Sequence, residues 1–344
     1  MKIFLKILKY VAIVVAVVVL LVLALRAYNY FTYDKYKQVD ATSIYSDPTN
    51  LDLYPKELDG VEIEHIEGDY LNGFHLKPKE KTKKGIIVTF GGSEGSPAYY
   101  EALLFAQQGH EVLSLFSFGM PNQQKMLSQI PLDFFDEVLV YIKDRVSDPE
   151  PITICGASKG AELCLNLANY YPEIDHIVLM APSAYNFNGL DFQNLASSWT
   201  YKGKELPYIS TMQASFLDYL GFLGGMISGA PTSYEALYRT AIANTSDAED
   251  KKVLQQAVDA DILIFAGAKD RMWPSAPMAQ VIKETQGDRA ELHIYEEAGH
   301  IFAGNGYMGS AYGVLALGGS EEANQAAAED YQKILLERLA EWHK

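Results

Sequence analysis

The chain has 344 residues, long for one domain but within reach of a single α/β domain that carries an insertion. Hydrophobic residues make up 49% of it, enough for a large core, and the formal net charge is −16. That charge argues against nucleic acid as a partner, because counterion release from phosphates needs clustered Lys and Arg.

The first element is a run without charge, Tyr10 to Leu25, built mostly of Val, Leu, Ile and Ala. As a helix it spans roughly 24 Å at about 1.5 Å per residue. Lys9 and Arg26 flank it, and their snorkelling extends its reach to a bilayer core of about 30 Å. Tyr28, Tyr30, Phe31 and Tyr33 follow as an interfacial aromatic belt. A cleaved signal peptide is the alternative, but Leu25-Arg26-Ala27 lacks the small-x-small cleavage pattern. Residues 1–31 therefore read as an N-terminal transmembrane anchor. Lys2, Lys6 and Lys9 precede the run, against Arg26, Lys35 and Lys37 after it. A short basic start favours a cytoplasmic N-terminus, with the rest of this single-pass chain extracytoplasmic.

Residues 32–59 are polar and aperiodic and read as a linker or stalk. From Val61 the pattern turns to strand, with Tyr70 to Leu76 as its hairpin partner, then a lysine-rich turn at 77–84. Gly85 to Phe90 is apolar enough for a buried strand. After it the chain alternates. Tyr99 to Gln108 suits a helix, Glu111 to Phe116 a strand and Leu132 to Lys143 a helix. Strands follow at Ile152 to Cys155, His176 to Met180, Asp261 to Gly267 and Glu291 to Tyr295, with a helix near 276–284 and a last helix from about Ser320. This predicts an α/β domain over 60–344, a mostly parallel sheet with helices on both faces.

The alternation breaks once, at about 184–260. That insertion is rich in aromatics (Phe187, Phe192, Trp199, Tyr201, Tyr208, Phe216, Tyr219, Phe222) and reads as a lid above the strand C-termini. Its aromatics line a pocket for an apolar acyl group, form the insertion's own core, or do both.

The chemistry centres on Gly156-Ala157-Ser158-Lys159-Gly160, set between a strand and a helix. A serine at the apex of such a turn presents an exposed hydroxyl, and small neighbours let strand and helix pass closely. A serine hydroxyl needs a base, and the base an orienting acid. Asp270 and His300 each follow a strand, on the same sheet edge as Ser158 and in the order Ser, acid, His. His293 lies within a strand and His176 starts one, so both read as structural. The oxyanion donors expected are the amide of Lys159 and that of Gly92 or Ser93, in the loop Gly91-Gly92-Ser93-Glu94-Gly95. Gly304 to Gly309 matches G-x-G-x-x-G, but no further strand completes a βαβ unit, so it is no dinucleotide site. Cys155 and Cys164 read as small buried hydrophobes. Neither a metal nor a cofactor is expected.

Five stretches, in order, resemble the acyl-CoA thioesterase and bile acid-CoA:amino acid N-acyltransferase family, in its C-terminal α/β-hydrolase domain. They are Gly91 to Gly95, Ile130 to Phe135, Gly156 to Leu165, Ile262 to Met278 and Tyr295 to His300. The resemblance implies Ser158 as nucleophile, Asp270 as acid and His300 as base, acting on acyl-CoA thioesters. The family's transferases typically use cysteine, so serine implies hydrolysis. Its larger members carry an immunoglobulin-like N-terminal domain, for which residues 32–84 are too few. Lys159, Lys269 and Arg271 flank the expected site, either to meet CoA phosphates or as solvated loop charges. Two other readings remain. One is an extracytoplasmic ester, lipid or peptide hydrolase with the same triad. The other is an inactive fold used as a binding module.

Overall fold

Ile86–Phe90 is buried at every position, as a strand covered on both faces must be. In the computed structural model, which describes residues 2–191, 193–310 and 313–344, it sits near the middle of an eight-stranded sheet. The strands are β1 (Val61–Glu67), β2 (Asn72–Pro78), β3 (Ile86–Phe90), β4 (Val112–Leu115), β5 (Ile152–Ala157), β6 (Ile174–Met180), β7 (Asp261–Gly267) and β8 (Ala290–Tyr295). Their spatial order is β1-β2-β4-β3-β5-β6-β7-β8. The pairs β1–β2 and β2–β4 are antiparallel and the other five are parallel.

The helices are α1 (Lys2–Tyr33), α2 (Tyr99–Gln107), α3 (Phe135–Arg145), α4 (Lys159–Ala168), α5 (Phe216–Ser228), α6 (Glu235–Asn244), α7 (Ser275–Gln286) and α8 (Glu321–Trp342). Strand alternation divides the core in two. Ile86, Val88 and Phe90 of β3 pack with Phe135 of α3, Leu163 of α4 and Ile282 of α7. Ile87 points the other way, into a cluster with Phe105 of α2 and Leu335 and Leu339 of α8. Ser320 caps α8 by accepting from the Ala323 amide.

Residues 41–55 differ from the free linker expected. Ile44 and Tyr54 are fully buried, and Tyr54 meets the rings of Phe74, Tyr99 and Phe116. The segment is a strap on the domain. Its apolar residues, Ile44, Leu51, Leu53 and Tyr54 among them, fall at irregular spacing and leave no periodic signal, which is why the strap reads as a stalk in sequence.

α1 is free of charge from Tyr10 to Leu25, and its described side chains from Ile3 to Tyr28 are exposed apart from the half-buried Val22. It is long and apolar enough to cross a membrane, a property shared by signal sequences. The insertion does not behave uniformly. Phe187 and Trp199 join the core, Tyr201 stacks on Tyr170 and α5 stands exposed. Phe192 lies outside the described residues.

Candidate active site

The turn between β5 and α4 puts Ser158 at φ 56°, ψ −119°, a conformation that side chains avoid and surrounding contacts must enforce. The Ser158 amide donates to the Met180 carbonyl at the end of β6. On either side the glycines have no room to grow. A Cβ on Gly156 would fall on the backbone of Gly160, and one on Gly160 on the carbonyls of Gly91 and Phe90. The elbow and the loop after β3 are thus in backbone contact.

Asp270 and His300 follow β7 and β8, whose parallel register brings both loops to the edge that carries Ser158. His300 Nε2 lies 2.9 Å from Ser158 Oγ, and His300 Nδ1 lies 2.7 Å from Asp270 Oδ2. Asp270 and His300 are buried, while Ser158 is half-buried. The other carboxylate oxygen of Asp270 accepts from the amides of Met272 (2.7 Å) and Trp273 (3.2 Å), which fixes the acid's orientation. The His300 amide donates to the Leu317 carbonyl. Trp273 stands edge-on to the imidazole, centroids 5.9 Å apart, and meets Phe187 and Tyr238 of the insertion. The ring beside the histidine is thus Trp273, and the insertion's Phe187 and Tyr238 pack on Trp273.

Around the expected oxyanion position, Lys159 opens α4, in the first turn where helical amides lack an intrahelical carbonyl. A Cβ on Gly92 would stand 3.3 Å from the Ser158 Cβ, so that loop adjoins the serine. The Gly92 amide is taken by a side chain of its own loop. It donates to Glu94 Oε1 (3.1 Å), which also accepts from Ser96 Oγ (2.6 Å). Ser93 is exposed.

The Lys159 side chain corrects the expectation that it flanks the site as a free cation. It is 3% exposed and turns inward to Glu162 (2.8 Å) and Ser198 Oγ (2.9 Å). Burial pushes its ammonium pKa down and Glu162 pulls it back up. Glu162 Oε1 also accepts from Trp199 Nε1 (2.8 Å) and the Phe187 amide (3.2 Å). Sequence reading missed Glu162, although an acid three residues after Lys159 on a helix is a pairing signal. Of the three cations considered, Lys269 and Arg271 stay exposed, Lys269 beside Glu297 and Arg271 beside Ser233.

The remaining candidates are structural. His176 stacks on Trp342, and His293 pairs with Glu291. Cys155 and Cys164 are buried free thiols whose pKa burial raises. Gly304 to Gly309 leads into a β-hairpin, Tyr307–Ser310 with Gly313–Ala316.

Residues 130–308 match the family described as BAAT / acyl-CoA thioester hydrolase C terminal. Acyl-coenzyme A thioesterase 6 of Homo sapiens is 27% identical over 250 residues, 70% of this chain and 54% of that protein. Acyl-coenzyme A thioesterase 1 of Homo sapiens is 24% identical over 247 residues, with the same two shares. The chain thus spans about half the length of these relatives. Among solved structures, carboxyl esterase 2 from the mycorrhizal fungus Tuber melanosporum aligns over 89% of this chain and 100% of its own, with TM-score 0.51 and 12% identity. That likeness carries the fold alone, an α/β hydrolase. The family match covers just over half of the sequence and includes Ser158, Asp270 and His300, so the chain belongs to the BAAT / acyl-CoA thioester hydrolase C-terminal family.

Proposed function

We propose that this chain is a membrane-anchored serine hydrolase that cleaves acyl thioesters through an acyl-enzyme on Ser158. The observation that carries the reading is the hydrogen-bonded series Ser158–His300–Asp270, within a domain of this family. Ser158 Oγ attacks the thioester carbonyl carbon and passes its proton to His300 Nε2. Asp270 orients the ring and stabilises the imidazolium. The tetrahedral oxyanion takes hydrogen bonds from the Lys159 amide and from Gly92 or Ser93, the Gly92 amide once Glu94 releases it. Collapse breaks the C–S bond, and His300 protonates the departing thiolate. His300 then takes a proton from water, whose oxygen attacks the acyl-enzyme carbonyl; collapse breaks the bond to Ser158 Oγ, His300 returns the proton to that oxygen, and the carboxylic acid leaves. α1 is the anchor and the domain works beside the bilayer.

A second reading keeps the same residues and changes the leaving group to an alcohol or amine, on an extracytoplasmic lipid, ester or peptide. The observation in its favour is the inward turn of Lys159, which leaves Lys269 and Arg271 as the exposed cations of the three considered for CoA phosphates. The basic start at Lys2, Lys6 and Lys9 points to the same face. Assaying the full chain on acyl-CoAs and p-nitrophenyl esters of several chain lengths separates the two readings. A preference for the CoA thioester at equal acyl length supports the first, and its absence supports the second. Mapping topology with a C-terminal reporter tests which face the domain occupies. A fluorophosphonate probe that left Ser158 unlabelled would favour an inactive binding module over both.

A further inference from the structure

α5 breaks the usual rule for a surface helix. Phe216, Leu217, Leu220, Leu223, Met226 and Ile227 are each 48–77% exposed. Single exposed apolar residues are ordinary, but six on thirteen residues form a patch. The helix has one charge, Asp218 in its first turn, held by Ser215 Oγ. From Tyr219 to Ser233 there is none.

The location of α5 says what covers this face. Arg26, the first charge after the long uncharged run, donates from Nη1 to the Ile227 carbonyl (3.4 Å). Asn29, one helical turn on and buried, donates from Nδ2 to the Ser228 carbonyl (3.0 Å). The C-terminal end of α5 is thus tied to α1 at the level where α1 leaves the apolar phase. A helix with this composition at that depth lies in the interface, apolar face down.

The connection from α5 leads to the catalytic edge. Thr232 pairs by backbone with Val314 and Ala316 of the hairpin. The amides of Tyr234 and Glu235 donate to the carbonyl of Arg271, next to Asp270. At the exit of α1, the rings of Tyr33 and Tyr36 pack on Tyr307, in the segment after His300. Both apolar helices therefore attach to the loops that carry the acid and the base.

We propose that α5 is a second, monotopic membrane element, seated in the leaflet beside α1, through which membrane-dissolved acyl substrates pass laterally to Ser158. This rests on reading α1 as the anchor. An acyl chain in a bilayer resists transfer to water, and a lid already in the leaflet removes that step.

The test uses the full chain in phosphatidylcholine vesicles, with one cysteine introduced at Val18, Leu220 or Glu329 and labelled with an environment-sensitive fluorophore. Cys155 and Cys164 are buried, so labelling reports the introduced thiol. Nitroxide-labelled lipid should quench the probe at Val18 and Leu220 and spare it at Glu329. Quenching at Val18 without Leu220 overturns the proposal and leaves the anchor standing. Quenching at neither overturns the anchor and the proposal with it. As a second measurement, Leu217→Ser with Leu220→Ser and Leu223→Ser should lower the rate on a vesicle-dissolved long-chain ester, relative to that on p-nitrophenyl acetate, by about tenfold or more. An unchanged ratio also overturns it.

Discussion

The ammonium of Lys159, one residue beyond Ser158, lies 2.8 Å from the carboxylate of Glu162, and both side chains are closed to solvent. Glu162 in turn receives Trp199 and the Phe187 amide, so a single carboxylate ties the elbow helix to the insertion. Removing one partner strands a buried charge. Glu162→Ala should cost about 3–5 kcal/mol of stability, and Lys159→Met a similar amount. Replacing both by apolar residues should cost less than either alone. Denaturation midpoints of the three variants in detergent micelles check this, and equal losses for singles and double would count against it.

Ser158→Ala should abolish turnover. Asp270→Asn should lower kcat by roughly 10⁴-fold, because the base loses its oriented tautomer while the fold stays intact. Steady-state kinetics on a p-nitrophenyl ester, with the denaturation midpoint as a control for folding, checks both. Full activity in Ser158→Ala would remove Ser158 as nucleophile.

Gly160→Ala should damage the site through backbone alone. The new methyl would meet the carbonyls of Gly91 and Phe90, pushing the Gly91–Gly95 loop from the serine. The expected cost is roughly 1–3 kcal/mol in stability, with a fall in kcat larger than any change in KM. Gly224→Ala in α5 meets nothing within 4 Å and should be neutral or slightly stabilising. Similar kcat values for the two variants would show that loop contact is unimportant.

Two buried histidines set an acid limit. Burial pushes His110 down to about 3 and His343 down to about 4, the second against a hydrogen bond from its ring to the Lys84 carbonyl. The rings touch edge to face, 5.0 Å between centroids. In the unfolded chain each titrates near 6.5, so as pH falls the unfolded state takes up these protons first. Their contribution is whole above about pH 6.5 and is lost progressively down to the folded-state values, by roughly 1.4 kcal/mol per pH unit per group. His110→Phe should flatten the fall in stability between pH 6 and pH 4. Urea midpoints across that range, unchanged in slope by the substitution, would falsify the assignment.

The legible part of the fold is the part written in local patterns. Ile86–Phe90 and residues 262–267 announce buried parallel strands by runs that are almost wholly apolar, and α8 shows its face at helical spacing. Ser158, Asp270 and His300 stand out because each follows such a strand. Ile44 and Tyr54 are not legible in the sequence because the apolar residues of 41–55 are irregularly spaced among polar ones and carry no period.

By itself, then, the sequence determined the alternation of sheet strands and covering helices outside the insertion, the placing of Ser158, Asp270 and His300 just after strands, and the apolar character of α1. These depend on residues near one another in the chain. Only the tertiary structure decided that the Lys159 side chain points into the core and that Glu94 holds the Gly92 amide. It also decided that α5 leaves its apolar face bare beside α1. Which way a lysine turns, or whether an apolar helix is covered, depends on partners far along the chain: Lys159 bonds Ser198, and Asn29 bonds the Ser228 carbonyl. Only folding brings those partners together.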